Sequence, residues 1–297
     1  MSAPANSFDR FSQWLRSSVM LKIATIGFLI LLFLIPLAMV QSLVWERKSR
    51  QQEVVDEISS KWGNAQALQG PLLAVPYLKT ERLADGRRQE VREYAYFLPE
   101  MLDVRGELLP EIRRRGMYDV VVYRSELEIS GHFGPLDAGA LGLAEGALLW
   151  QEARLMLGVS DLRGVEELLR CAWGGDTLDF EPGLPARHVA ESGLSAALRL
   201  PPGGGRQDFR MTLRLRGSGH LHFAPLGKDS RVALRSPWPH PSFEGAFLPA
   251  SPVALSDSGF EAQWRVLHLN RPYPQQWLAD AYQTPDSHFG LRMLLPA

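Results

Sequence analysis

At 297 residues the chain is longer than one typical domain needs and can bury a sizeable core without staples. Its 32 Lys and Arg against 33 Asp and Glu leave a formal charge of -1, so it lacks the basic surplus that draws a protein to nucleic acid. Cys171 is the single cysteine, which excludes a disulfide scaffold within the chain while leaving cytoplasm and periplasm both open.

Residues 1–18 read as a cytoplasmic amphipathic leader. Phe8, Phe11, Trp14 and Leu15, with Val19 just beyond, recur at helical spacing among Arg10, Gln13 and Arg16, and Ser7 is placed to cap the helix. The competing reading is a leader with no fixed structure. Residues 19–45 are predicted to be a transmembrane helix. No charge occurs from Ile23 to Trp45, a run that as a helix measures about 35 Å against a hydrocarbon layer of about 30 Å. Lys22 and Glu46 bracket it, Trp45 sits at an interfacial position, and Pro36 is predicted to kink it. The run is too long for a cleaved signal peptide and apolar on every face, unlike a core helix. Arg10, Arg16 and Lys22 on one side balance Arg47, Lys48 and Arg50 on the other, so local charge leaves the orientation open.

Residues 46–64 continue as a helical stalk with Val54, Val55, Ile58 and Trp62 on one stripe, and Gly63-Asn64 supplies the stop. From residue 65 to 297 the period becomes two, and the expectation is a large antiparallel β-sandwich-like domain, so that the chain as a whole is mainly β. Leu72–Leu78 and Glu90–Leu98 pair about a turn at Asp85-Gly86. Met101–Leu109 and Met117–Phe133 follow, the second needing a bulge to bring Val120, Val122, Leu127, Ile129 and Phe133 to one core face. Gly134–Gly146 reads as a short helix or loop, Ala153–Val159 and Leu178–Phe180 as strands. The clearest alternation is Phe209, Met211, Leu213 and Leu215 against Arg210, Thr212, Arg214 and Arg216. Leu221 with Phe223, then Val232 with Leu234, then Phe260 to Val266 add three more strands.

The chemistry candidates are few. His220 and His222 share one face of a strand, but two ligands do not make a metal site, and the bland reading puts both on a wet face. No metal site and no cofactor is therefore expected. The sequence holds no GxSxG, HExxH, Walker A or dinucleotide fingerprint, and Cys171 matches no catalytic-cysteine signature, so no catalytic residue is assigned. Arg113-Arg114-Arg115 reads as a solvated hairpin tip, with lipid headgroups as the functional alternative. The most unusual stretch is Ser236-Pro237-Trp238-Pro239-His240-Pro241-Ser242-Phe243. Its three prolines stiffen it, so Trp238 and Phe243 either plug a sheet end or, with His240, form a recognition edge. Burial is the preferred reading.

Several strings carry a resemblance: Val44-Trp45-Glu46-Arg47, Ile58-Ser59, Trp62-Gly63, Gln66, Gly70–Tyr77, Arg115–Tyr118, Ser160-Asp161-Leu162-Arg163-Gly164, Arg216-Gly217-Ser218-Gly219, Ser236–Pro249 and Ser258–Trp264. On these the chain resembles the CreD family of bacterial inner-membrane, cell-envelope proteins over nearly everything after residue 18. The resemblance implies a cytoplasmic N-terminus, one span and a large periplasmic β domain. It also implies a role in envelope integrity and stress tolerance, under a two-component system that responds to nutrients and cell-wall damage. It transfers no catalytic residue. Family members run on into several C-terminal membrane helices, whereas this chain stops at Leu294-Leu295-Pro296-Ala297, so a fragment or a truncated gene is expected.

Three functions follow as expectations. The first is non-enzymatic sensing, binding or bracing in the envelope, with the lipid bilayer, envelope proteins or cell-wall components as partners. The second is an enzyme acting on an envelope polymer or lipid, which requires His240 to meet Glu244 or Asp257 in a pocket. The third is a structural subunit of a membrane complex, docking through an exposed apolar patch.

Overall fold

In the computed structural model the described residues are 19–82, 87–144, 146–186, 189–250, 253–279, 281–282 and 288–295. The amphipathic leader and the Asp85-Gly86 turn lie outside them. The chain divides into two units, Met1–Val54 and Val55–Ala297.

The described part of the first unit is helical. Helix α1 (Val19–Trp62) is continuous over 44 residues, with Pro36 inside it. Its most apolar stretch has a mean hydropathy of 2.8 and none of that stretch is buried by protein. Leu, Ile and Phe side chains exposed all round a helix would be costly in water, and the length suffices to cross a bilayer. The stop at Trp62 agrees with the Gly63-Asn64 signal.

The second unit holds the last two turns of α1 and two β-sheets. One sheet orders its strands β13 (Pro241–Gly245), β17 (Phe289–Met293), β11 (His220–Phe223), β1 (Gln66–Arg82), β5 (Ala153–Val159), β9 (Gly193–Leu198) and β8 (Glu181–Pro182). In it β2 (Arg88–Phe97) also pairs with β1, and β16 (Gln276–Leu278) pairs with β2. The other sheet orders β14 (Ala254–Ser256), β15 (Gly259–Leu267), β12 (Asp229–Ser236), β3 (Met101–Arg115), β4 (Tyr118–Phe133), β10 (Gln207–Ser218), β6 (Arg170–Trp173) and β7 (Asp176–Asp179).

Most pairings are antiparallel, as expected, but β1–β11 and β3–β12 run parallel. The sheets are therefore mixed. Both parallel contacts join strands far apart in sequence, which local hairpin signals cannot reveal. The alternating strands bury one side: Phe209, Met211, Leu213 and Leu215 of β10, Val232 and Leu234 of β12, and Phe260, Ala262, Trp264 and Val266 of β15 all lie in the core. Phe260–Val266 is not the last strand of the chain, since β16 and β17 follow it in sequence and join the other sheet.

The expected bulge in β4 is absent. Its register with β3 is unbroken from Met101↔His132 to Arg115↔Tyr118. Val121, Tyr123, Leu127 and Ile129 face the core, while Val120 and Val122 are buried on the opposite face. A strand that buries both faces over four residues does not alternate, so its sequence mimics a shift of register. The second burial has a cause: this is the face on which the end of α1 sits.

Candidate functional site

The last turns of α1 are fastened to the β-sheets by side chains drawn from five separate stretches of sequence. Trp62 is the centre. The guanidiniums of Arg113, Arg124 and Arg216 lie 4.5, 5.2 and 5.2 Å from its ring centre. Its indole N–H donates to the Tyr123 carbonyl at 3.2 Å. An electron-rich ring face attracts cations, and strand alternation aims these three arginines at one spot because β3, β4 and β10 are neighbours. Their mutual repulsion is relieved nearby: Arg113 bonds Glu111 at 2.6 Å, and Glu166 lies 3.7 Å from Arg124 and 3.3 Å from Arg216. Arg115 pairs with Glu57 of the helix.

Below Trp62 the chain turns sharply. Gly63 has φ +146°, and a Cβ there would lie 2.7 Å from the Arg216 carbonyl oxygen. The open end of the helix is then closed from across the fold. Arg163 Nη1 donates to the Ser60 carbonyl at 2.8 Å, and the Asn64 N–H donates to Asp161 Oδ2 at 2.9 Å. A cation on the last carbonyls also suits the negative end of the helix dipole. Asp161 grips Arg163 through Nε and Nη2 at 2.9 and 2.8 Å. Burial opposes the charged Asp161 carboxyl, but the bonds from Arg163 and from the Asn64 N–H outweigh it and hold it below the usual range.

Gln66, fully buried, satisfies the backbone around this turn: its amide donates to the carbonyls of Asp161 and Arg216, both at 3.0 Å, and its oxygen accepts from Ser160 Oγ at 3.2 Å. Tyr123 crosses to the second sheet, its hydroxyl donating to the His220 carbonyl at 2.9 Å. Gly217 makes room for it, since a Cβ there would stand 2.3 Å from that hydroxyl. The joint thus ties the helix end, one sheet and β11 of the other into one network. Sequence reasoning gave Trp62 a place on the stalk stripe, Gly63-Asn64 the helix stop and Arg113–Arg115 a solvated hairpin tip, but brought none of them together; instead Arg113 stacks on Trp62 and Arg115 pairs with Glu57. The available hint was that Ile58-Ser59, Trp62-Gly63, Gln66, Ser160–Gly164 and Arg216–Gly219 are among the strings that carried the resemblance, and they meet here.

The other residues singled out beforehand lie elsewhere. Trp238 is buried, its indole N–H donating to the Leu294 carbonyl at 3.0 Å. Phe243 packs edge-on against Trp264 and Phe260, at 5.6 and 6.0 Å between ring centres. His240 exposes its side chain and uses its carbonyl to accept from the Leu294 N–H at 3.1 Å. The stiff segment therefore clasps the chain just beyond β17. Among the described residues no carboxylate bonds the His240 imidazole. Glu244 is held by Arg292 at 3.1 Å, and Asp257 sits in the turn between β14 and β15.

His220 and His222 stack at 4.5 Å and are half-buried, not on an open wet face. Burial, then the neighbouring His220, His288 and Arg292, push the His222 pKa down to about 4, so the ring is neutral at pH 7. Its Nε2 lies 3.9 Å from Glu244 Oε2. Among the described residues no group of three or more His, Cys, Asp or Glu is arranged to hold a metal ion. Cys171 is buried, and burial pushes its thiol up to about 12, away from nucleophilic use.

The family model described as Inner membrane protein CreD matches residues 18–297. The Inner membrane protein CreD of Escherichia coli (strain K12) is 32% identical over 257 residues, which is 84% of this chain and 56% of that protein. The chain thus spans about half the length of this curated relative.

Proposed function

Since this chain belongs to the CreD family of inner membrane proteins, we propose that it holds a β domain on the periplasmic side of that membrane, where the domain binds or braces envelope components and supports envelope integrity under stress. The role is one of binding, not of catalysis, and the lipid bilayer and cell-wall or envelope proteins are its partners. The observation that carries this reading is the joint around Trp62. A flexible linker would suffice to keep a domain near a membrane. Here three cations grip an aromatic ring, Arg163 caps the last helical carbonyls and a buried Gln66 braces the turn. Such a joint fastens the last turns of the helix to the domain.

The test is complementation in cells lacking their own copy and exposed to envelope stress. Trp62→Ala removes the cation–π contacts and an indole hydrogen bond, at a cost of about 2–4 kcal/mol. The variant is expected to reach the membrane at normal level yet fail to restore stress tolerance, while Trp62→Phe restores most of it. Full rescue by Trp62→Ala would remove the joint from the function.

A further inference from the structure

Away from the joint, a cleft of about 730 Å³ opens between the sheets, where β5 and β9 of one face β6 and β7 of the other. Arg92, Arg154 and Arg199 line it, together with the acidic Glu152 and Asp176. Arg92 is already neutralised by Glu152 at 2.7 Å. The other two arginines are not: among the described residues no carboxylate lies within 4.0 Å of Arg154 or Arg199.

Arg154 is the more telling. It is half-buried, and its bonds run to a neutral partner, with Nε and Nη2 donating to Ser195 Oγ at 3.2 and 2.9 Å. Ser195 is itself buried and fixed, its hydroxyl donating to the Gly183 carbonyl at 2.7 Å. The arrangement orients a guanidinium without discharging it, and Nη1 keeps no protein acceptor among the described residues. An arginine cannot shed its charge by losing a proton, so partial desolvation without a counter-charge favours a bound anion. Tyr94 and Trp173 add aromatic surface to a lining that is otherwise mostly polar, with Gln151, Asp176 and Thr177 beside the arginines.

The comparison within the molecule sharpens the point. A second concavity, of about 600 Å³, lies on the wet face of the other sheet and is richer in arginine and glutamate. There the cations are spoken for: Arg214 by Glu126 and Glu167, Arg235 by Glu107, Arg105 by Asp103. An anion would have to displace an existing ion pair to bind there, but not in the intersheet cleft.

We infer that the cleft lined by Arg154, Arg199, Tyr94 and Trp173 is a binding site for a small oxyanion, a carboxylate or phosphate carried on a compact polar body. The inference deepens the binding role proposed above and rests on it for the compartment alone. Two sources share this chemistry, an acidic sugar and a free phosphate, and calorimetric titration of the full chain in detergent micelles separates them. D-glucuronate and inorganic phosphate are the probes, and glucose is the uncharged control. One of the two anions is expected to bind and glucose is not.

Arg199→Gln, at an exposed position that does not threaten folding, should weaken binding about tenfold or more, and Arg154→Gln at least as much, as loss of a charge-assisted pair requires. Arg210→Gln, on the wet face of the other sheet, should leave binding unchanged. The inference is overturned if neither anion binds up to about 10 mM. It is equally overturned if Arg199→Gln binds as well as the parent, or if Arg210→Gln weakens binding as much as Arg199→Gln does. These outcomes do not depend on the joint, so failure here and failure of Trp62→Ala in cells are distinct results.

Discussion

His222 shows how position converts a residue type into a property. A histidine alternating with Leu221 and Phe223 on a strand reads as solvated, but this ring is half-buried in contact distance of His220, with His288, Arg292 and Glu244 around it. Its folded pKa is pushed down to about 4 from an ordinary 6.5. The unfolded chain therefore takes up this proton as pH falls below about 6.5, while the folded chain resists until about 4. Stability should decline across that window and be insensitive to this group above it. The contribution is about 2–3 kcal/mol, and His220, also pushed down by burial first and by Arg292 next, adds in the same direction. Denaturant unfolding of the full chain at pH 5 and pH 7.5 checks it: His222→Gln should lose clearly less stability between the two than the parent. An equal loss would mean that the ring is solvated after all. That environment was invisible beforehand, because the groups that create it come from β17 and β13, some seventy and twenty residues on.

Strands and helix show which local patterns survive tertiary contact. The alternation of β10 and the stop signal after Trp62 were read directly, since each reports a single element meeting one environment. β4 was misread because two environments cover it, the core on one face and the end of α1 on the other. In the Trp238–Phe243 segment Trp238 is buried and Phe243 half-buried, but its task, clasping the chain after β17, depends on a strand pairing across half the domain. Close packing between elements gives Gly217 its importance. With Tyr123 passing where a Cβ would stand, Gly217→Ala should force the tyrosine aside and cost about 2–4 kcal/mol, seen as a lowered thermal midpoint. It should also expose the turn after α1 to limited proteolysis. The same substitution at Gly175, where a Cβ meets open space, should do neither.

Across the whole molecule, the membrane assignment and the orientation stand on different footings. An uncharged run of this length demands lipid whatever follows it, and membership of an inner-membrane family agrees. The periplasmic side is part of the proposal. It can be checked with Leu248→Cys, at a well-exposed position, in a Cys171→Ser background. A membrane-impermeant maleimide should label this cysteine in intact spheroplasts. Labelling that appears only after lysis would put the domain in the cytoplasm. Taken alone, the order of residues determined the span, the stalk, the mainly β character and the family resemblance, because each depends on composition or on a period of a few residues. Only the tertiary structure decided that the sheets are mixed, that scattered strings converge on Trp62, and that among the described residues no carboxylate pairs with Arg154 or Arg199. Those depend on which strands become neighbours, and strand pairing is settled by the burial of the whole core, a sum over contacts that no local window contains.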